Sequence, residues 1–96
     1  MKSHAVYNQR FHTRSASIHI ICTENSVCID CKGLSGVAMN ELMDELLYDG
    51  YAETGELSDG CIVLYEADPW MCGEENLKEM IHAKMDSMNY EVTFLP

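Results

Sequence analysis

The feature that most constrains the fold of this chain is the alternation of apolar and polar side chains over residues 17–32. If a two-residue turn lies at Glu24-Asn25, Ile18 faces Cys31 and Ile20 faces Ile29 across an antiparallel hairpin. One face then collects only apolar side chains, namely Ile18, Ile20, Cys22, Val27, Ile29 and Cys31. A slip of one residue would mix the two faces, so the pattern predicts the register as well as the hairpin.

Other stretches of the chain show helical or strand periodicity. Ser35 follows a glycine-containing break and is a favoured N-cap, and Gly50 suits the left-handed position after a helix end. The patterns predict a first strand over 5–14, a helix over 35–49, strands over 51–57 and 61–67, a helix over 74–88 and a last strand over 90–94.

From residue 26 onward the predicted order is strand, helix, strand, strand, helix, strand. This is the order of a ferredoxin-like βαββαβ unit, here preceded by an N-terminal strand and half a hairpin. We therefore expect a two-layer α+β fold, an antiparallel sheet with both helices on one face. At 96 residues the chain has room for a single domain, residues 1–96. The segment over 51–57 is the weakest strand, and without it the sheet has one strand fewer.

The charge of the chain is strongly negative and unevenly distributed. The formal net charge is −10 at pH 7. Residues 1–23 hold three basic residues and no acid, which gives +3, whereas residues 24–96 hold all 16 acids against three lysines, which gives −13. Such a charge repels phosphate backbones and anionic lipids. We therefore expect no direct contact with nucleic acid or membrane, and a basic protein as partner.

Targeting signals and cysteines bear on the compartment of the chain. Lys2, His4, Arg10, His12 and Arg14 fall on even positions, which is strand spacing and argues against an organellar targeting helix. No apolar run approaches the ~18 residues of a membrane span. Five cysteines without a secretory signal are expected to be reduced thiols. We therefore expect a cytoplasmic protein.

Motifs for catalysis or metal binding are each incomplete. Cys28 and Cys31 form a CxxC, but residues three apart on a strand point to opposite faces, so we expect buried, reduced cysteines and no zinc site. The turn over 33–36 lacks the Gly-x-Ser-x-Gly of a nucleophile elbow and the ending of a P-loop, and so predicts a helix cap. The acidic stretch over 49–60 has Thr54 where a calcium loop needs glycine. We expect no catalytic, cofactor-binding or metal-binding residues and no enzyme activity.

The remaining signal is a set of acidic side chains on the outer faces of the predicted helices and in the segment between them. If the helices pack side by side, these side chains face one way and form a partner-binding surface. The candidates are Glu41, Asp44, Glu45, Tyr48, Asp49, Glu53, Glu56, Asp59, Glu75, Glu79 and Asp86. A net charge of −10 exceeds the magnitude of about 2–8 that solubility needs in a small domain.

These features predict an acidic protein that binds and inhibits a basic, nucleic-acid-handling protein by imitating nucleic acid. Small phage-encoded inhibitors of host nucleases and CRISPR complexes use this strategy, and the chain is similar to them in size and charge only. The first alternative is a regulatory or assembly module that forms homo- or hetero-oligomers, including a homodimer, through its sheet edges or its basic first strand. The second is a small enzyme or ligand-binding domain that uses Lys32, Ser35 or Cys72.

Overall fold

The structure is a computed structural model of the chain, and it describes residues 14–23, 26–67 and 75–96. Its elements are β1 (Arg14–Cys22), β2 (Ser26–Lys32), α1 (Gly36–Tyr48), β3 (Thr54–Ser58), β4 (Cys61–Tyr65), α2 (Glu75–Ser87) and β5 (Tyr90–Phe94). The strands form one five-stranded mixed sheet in the order β3-β4-β2-β1-β5. The α+β class predicted from sequence is therefore confirmed. Apart from Arg14, the predicted first strand lies outside the described residues, and so does the turn at Glu24-Asn25.

β1 and β2 form the predicted hairpin in the predicted register. Ile18 pairs with Cys31, and Ile20 pairs with Ile29. The alternation has its expected effect, because one side of each strand enters the core and the other does not. β1 is longer than predicted and begins at Arg14, since its first half also pairs with β5.

The order of the sheet differs from the ferredoxin-like order predicted from sequence. In that order β5 would lie beside β2, and the whole sheet would be antiparallel. Here β1 occupies that side of β2, so β5 pairs with β1 instead. Because β1 runs antiparallel to β2, its pairing with β5 is parallel. The prediction of a wholly antiparallel sheet is wrong for this reason.

The weakest predicted strand does form, as β3, and it pairs antiparallel with β4. The two strands are joined at Asp59-Gly60, where φ is +45° and +80°. Positive φ at both central residues is the conformation of a type I′ turn, which matches the twist of a two-residue hairpin. A local Asp-Gly signal therefore completes the sheet at this edge.

A single core joins one face of the sheet to both helices. From the sheet, Ile18, Ile29, Ile62 and Leu64 are fully buried. The helices add Ala38, Met39, Leu42, Leu46, Leu77, Ile81 and Met85 to the same cluster. Neither α1 nor α2 is long and apolar enough to cross a membrane.

The opposite side of the sheet, which we call the second face, carries the residues that alternate with the buried ones. It contains polar, apolar and thiol side chains, which lie opposite one another on paired strands. Its members include Ser17, His19, Ile21, Ser26, Cys28, Asp30, Lys32, Glu56, Cys61, Val63 and Tyr65.

Both helices lie within one residue of their predicted bounds. Ser35 is the N-cap of α1, and its Oγ accepts a hydrogen bond from the Ala38 N–H at 3.1 Å. Gly50 follows the helix with φ of +84°, as expected for a left-handed residue after a helix end. These caps set where the outer surface of α1 starts and stops.

Candidate protein-binding surface

The outer side of α1 carries a run of exposed acidic side chains. Leu42 and Leu46 are fully buried and so fix the inward side of the helix. Glu41 and Asp44 lie on the other side and are exposed, and the side chain of Tyr48, the last residue of the helix, is 88% exposed. We define the α1 acidic surface as Glu41, Asp44, Glu45, Tyr48 and Asp49.

One member of this surface turns towards the second helix. Glu45 is half-buried, and its Oε1 lies 3.7 Å from the Lys84 Nζ of α2. It is the one ion pair found within the described residues, 14–23, 26–67 and 75–96. Because both side chains remain partly exposed, the pair contributes at most about 1 kcal/mol to stability. The charges of Glu41, Asp44 and Asp49 therefore have no ion-pair partner among the described residues.

The acidic stripe of α2 faces a different direction. Glu75, Glu79 and His82 line a shallow depression together with Lys78 and Phe94. Phe94 belongs to β5 at the edge of the sheet, and the Lys78 Nζ lies 5.8 Å from its ring centroid. This stripe, which Asp86 continues towards the helix end, therefore faces the β5 edge, whereas Lys84 is the residue that reaches α1. The two helical stripes do not merge into one surface.

Glu56 lies on the second face of the sheet, away from both helices. Its neighbour Gly55 faces the core, where an added Cβ would lie 3.1 Å from Leu64 Cδ2, so Glu56 must point the other way. The Tyr65 hydroxyl donates a hydrogen bond to the Glu56 carboxylate. That bond is the main reason why the pKa of Tyr65 is raised above its ordinary value. Glu56 is thus part of a cross-strand contact and not of the helical surface.

The remaining two candidates lie at the β3 side of the sheet. Glu53 precedes β3, and its N–H donates to the Tyr65 carbonyl oxygen at 3.3 Å. Asp59 occupies the first position of the β3–β4 turn. Both side chains are exposed. The structure therefore brings together the five residues of the α1 acidic surface. Glu75, Glu79 and Asp86 are separate from them because they face the β5 edge of the sheet, and Glu56 is separate because it lies on the second face.

The CxxC pair is divided between the two sides of the sheet, as the strand spacing predicts. Cys31 is buried, and that burial is the main reason why its pKa is raised to about 12. Cys28 is half-buried on the second face. The expectation of a buried, reduced cysteine holds for Cys31. Cys28 is also a free thiol, but it is only half-buried. Cys22 departs from the expectation of reduced thiols, because it is disulfide-bonded.

The turn between β2 and α1 is held by an anchor that the sequence did not reveal. The hydroxyl oxygen of Tyr90, which is buried, accepts a hydrogen bond from the Ser35 N–H at 3.2 Å. It also accepts one from Arg14 Nη1 at 3.4 Å. These bonds, those of Ser35 first, lower the pKa of Tyr90. Since Ser35 serves as N-cap and Tyr90 as anchor, both side chains have a structural role.

Sequence analysis missed Tyr90 and also Cys61, which lies beside Cys28 on the second face. Tyr90 had only a strand pattern around it, and its hydrogen-bond partners lie more than fifty residues away in the chain. Cys61 stood at the head of an apolar run and had no motif partner. Nothing local to either residue could have indicated these contacts.

Comparisons with known proteins assign no family to this arrangement. No protein-family model, no curated protein and no solved structure matches the chain. In the part of the chain that the structure describes, no group of three or more His, Cys, Asp or Glu side chains converges as a metal site would require.

Proposed function

We propose that the protein binds a basic, nucleic-acid-handling protein through the α1 acidic surface and inhibits it without catalysing a reaction. The observation that carries this proposal is the placement of the carboxylates on α1. Glu41, Asp44 and Asp49 are exposed, Glu45 is half-buried, and Lys84 is the one cation of the described residues that pairs with any of them. A surface of uncompensated charge gains most from a partner of opposite charge.

The direction of the helix dipole supports a role for these acids outside the protein. Carboxylates stabilise a helix near its N-terminus and destabilise it near its C-terminus, by about 0.3–1 kcal/mol each. α1 has no acid in its first turn and no basic residue in its last turn, whereas Asp44 and Glu45 approach its C-terminal end. α2 follows the favourable rule in part, with Glu75 in the first turn and Lys84 in the last, although Asp86 also lies near its C-terminal end. Helix stability therefore accounts for part of the charge on α2 and for none of the charge on α1.

The spacing of the α1 carboxylates is compatible with nucleic-acid mimicry. At ~1.5 Å rise per residue, Glu41 to Asp49 spans ~12 Å. The four acids in that span give roughly one charge per 3–4 Å, close to the ~3.4 Å between phosphates along one DNA strand. The ion pair between Lys84 and Glu45 reduces the density of negative charge along this span. The surface therefore resembles one strand rather than a duplex, which favours a groove that takes a single strand.

The proposal includes a cytoplasmic location, where many nucleic-acid-handling proteins work. Cytosolic thiol systems keep most cysteines reduced, whereas the Cys22 disulfide is of the kind that persists in oxidising compartments. The α1 acidic surface contains no cysteine, so its binding is expected to be the same in either thiol state.

The test is capture of partners from a cell lysate by the tagged full chain, read by mass spectrometry at low and at high salt. We expect basic proteins to be retained at low salt and lost at high salt, because ion pairs exposed to solvent are screened. The double substitution Glu41→Lys with Asp44→Lys should abolish their capture. Captured enzymes should then be inhibited by the wild-type protein in a nuclease or nucleic-acid-binding assay.

The matched control is Glu56→Lys with Glu91→Lys. It changes the net charge by the same amount, but on strands β3 and β5 rather than on α1. Capture should survive in this control. If both double variants lose the partner equally, the net charge and not the α1 acidic surface is responsible, and capture that is indifferent to salt contradicts the proposal altogether.

A second candidate function is that of an assembly module, and a separate observation favours it. β3 and β5 lie at the two edges of the described sheet, and Ile21 and Tyr65 on its second face are 42% and 40% exposed. Edge strands and exposed apolar side chains are the features that mediate strand pairing between chains. Sedimentation that shows a monomer at both low and moderate salt would count against this candidate and leave the first intact.

A further inference from the structure

Cys28 and Cys61 lie next to each other on the second face, although they are far apart in the chain. In the β2–β4 pairing, Asp30 is opposite Cys61 and Cys28 is opposite Val63. Cys28 and Cys61 are therefore diagonal neighbours on the same face of two paired strands. Their thiols are close enough for Cys28 to raise the pKa of Cys61.

Both thiols are accessible, which distinguishes them from the third free cysteine. Cys28 and Cys61 are half-exposed and not in a disulfide, whereas Cys31 is buried in the core. The pair that could act together chemically is thus not the CxxC of the sequence. It is one member of that motif with a partner supplied by β4.

The surroundings of the pair favour a positively charged ligand. Asp30 lies opposite Cys61 and next along the strand face from Cys28, and Asp59 is close enough to act on Cys61 electrostatically. Burial first, then Cys28 and these carboxylates, raise the pKa of Cys61. The Cys61 thiol is therefore protonated at neutral pH, and a cation that replaces its proton offsets the negative charge of these carboxylates.

We propose that Cys28 and Cys61 form a two-sulfur binding site for one soft cation of the Cu(I) class. Thiolate sulfur is a soft ligand that selects Cu(I), zinc and iron–sulfur clusters. Binding replaces two S–H bonds by two metal–sulfur bonds and releases two protons, with no change of oxidation state. Four-coordinate zinc needs further ligands, which the described residues do not supply around this pair.

A bridging cation fits this geometry better than a disulfide does. Diagonal neighbours in a sheet have Cα atoms ~7–8 Å apart. A disulfide requires about 4.4–6.8 Å, so direct oxidation would have to pull the strands together. A metal ion places two metal–sulfur bonds between the sulfurs, each ~2.3 Å long in the case of zinc, and so spans a wider gap than a disulfide does.

The test is an anaerobic titration of the full chain with Cu(I) in competition with a colorimetric Cu(I) chelator. We expect one equivalent to bind to the wild type. Cys28→Ser and Cys61→Ser should each weaken that equivalent more than about a hundredfold, since loss of a mere second-shell partner already costs about 10–100-fold. Cys31→Ala is the matched control, because it removes the CxxC motif and leaves the pair, and it should bind as the wild type does.

A second probe tests the proximity of the sulfurs without a metal. An aryl arsenoxide condenses with two thiols, forming two As–S bonds and one water while arsenic stays trivalent. Mass spectrometry should show one adduct that disappears in Cys28→Ser and Cys61→Ser, with circular dichroism confirming that both variants are folded. Cu(I) binding that is equal in the wild type and in Cys28→Ser, or that is lost in Cys31→Ala, overturns the proposal.

Discussion

Gly33 shows how a single residue determines the approach of two elements. It has φ of +95°, in the region that residues with a side chain rarely adopt. A Cβ at this position would lie 2.6 Å from the backbone oxygen of Ser15 and 3.2 Å from Ala16 Cα, both in β1. Since these are backbone atoms of a paired strand, they cannot move aside as a flexible side chain could. The turn that leads from β2 into α1 therefore depends on glycine twice, for its dihedral angle and for its lack of volume.

We expect Gly33→Ala to lower the free energy of unfolding by at least about 2 kcal/mol, because left-handed strain of roughly 1–2 kcal/mol is joined by the clash with β1. Gly60→Ala is the control, since Gly60 has φ of +80° but nothing within 4 Å of the added Cβ. The Gly60→Ala variant should lose only the free energy of unfolding that comes from the unfavourable dihedral angle, about 1 kcal/mol. Urea unfolding followed by circular dichroism measures both. Equal losses would show that the contact with Ser15 contributes nothing.

At the scale of elements, α1 is held by its cap and its core side, in spite of its charge. Its acids lie where the helix dipole opposes them, so the N-cap Ser35 and the burial of Leu42 and Leu46 have to compensate. The Ser35 N–H is itself bound by the Tyr90 hydroxyl from β5. The start of α1 is thus tied to the end of the chain, and with it the position of the α1 acidic surface.

Ser35→Ala should destabilise the protein by about 1 kcal/mol, the usual loss when an N-cap side chain is removed. The Ser35 backbone N–H and its bond to Tyr90 remain in this variant, so the change reports the cap alone. Ser35→Asp should retain most of the stability, because a carboxylate also accepts the Ala38 N–H and suits the positive end of the dipole. Thermal unfolding compares the three proteins. A Ser35→Asp variant as unstable as Ser35→Ala would contradict a capping role.

At the scale of the whole molecule, the excess of negative charge opposes the compact state. The net charge is −10, and one ion pair forms among the residues that the structure describes. Self-repulsion of this kind destabilises a folded protein and is relieved by a basic partner or by salt. The same charge that makes a basic partner favourable therefore has a cost for the free protein.

We expect the Tm to rise when NaCl is increased from about 10 mM to about 150 mM, because the screening length falls from ~30 Å to ~8 Å. Glu41→Gln with Asp44→Asn should raise the Tm at low salt and reduce its dependence on salt. Scanning calorimetry gives both values. A Tm that falls with added salt would mean that attractive charge pairs outweigh the repulsion, against what the exposed carboxylates imply.

Local interactions are what the sequence alone could determine. The β1–β2 register, the Ser35 cap, the Gly50 helix end and the Asp59-Gly60 turn each involve residues that are close in the chain or related by a strict alternation. In such cases the period of the apolar residues and the residue types in the turns are compatible with few alternative local structures. The acidic residues of α1 belong to this group, because the apolar stripe of the helix decides which side faces solvent.

The tertiary structure alone decided how distant segments meet. The placement of β5 beside β1 depends on which side of β2 is already occupied, and no residue in β5 encodes that. The same is true of Glu56, which pairing with β4 turns to the second face, and of Cys28, whose neighbour Cys61 comes from another hairpin. Alternation specifies that a strand has two faces, but the buried core determines which face points inward and which strands lie side by side.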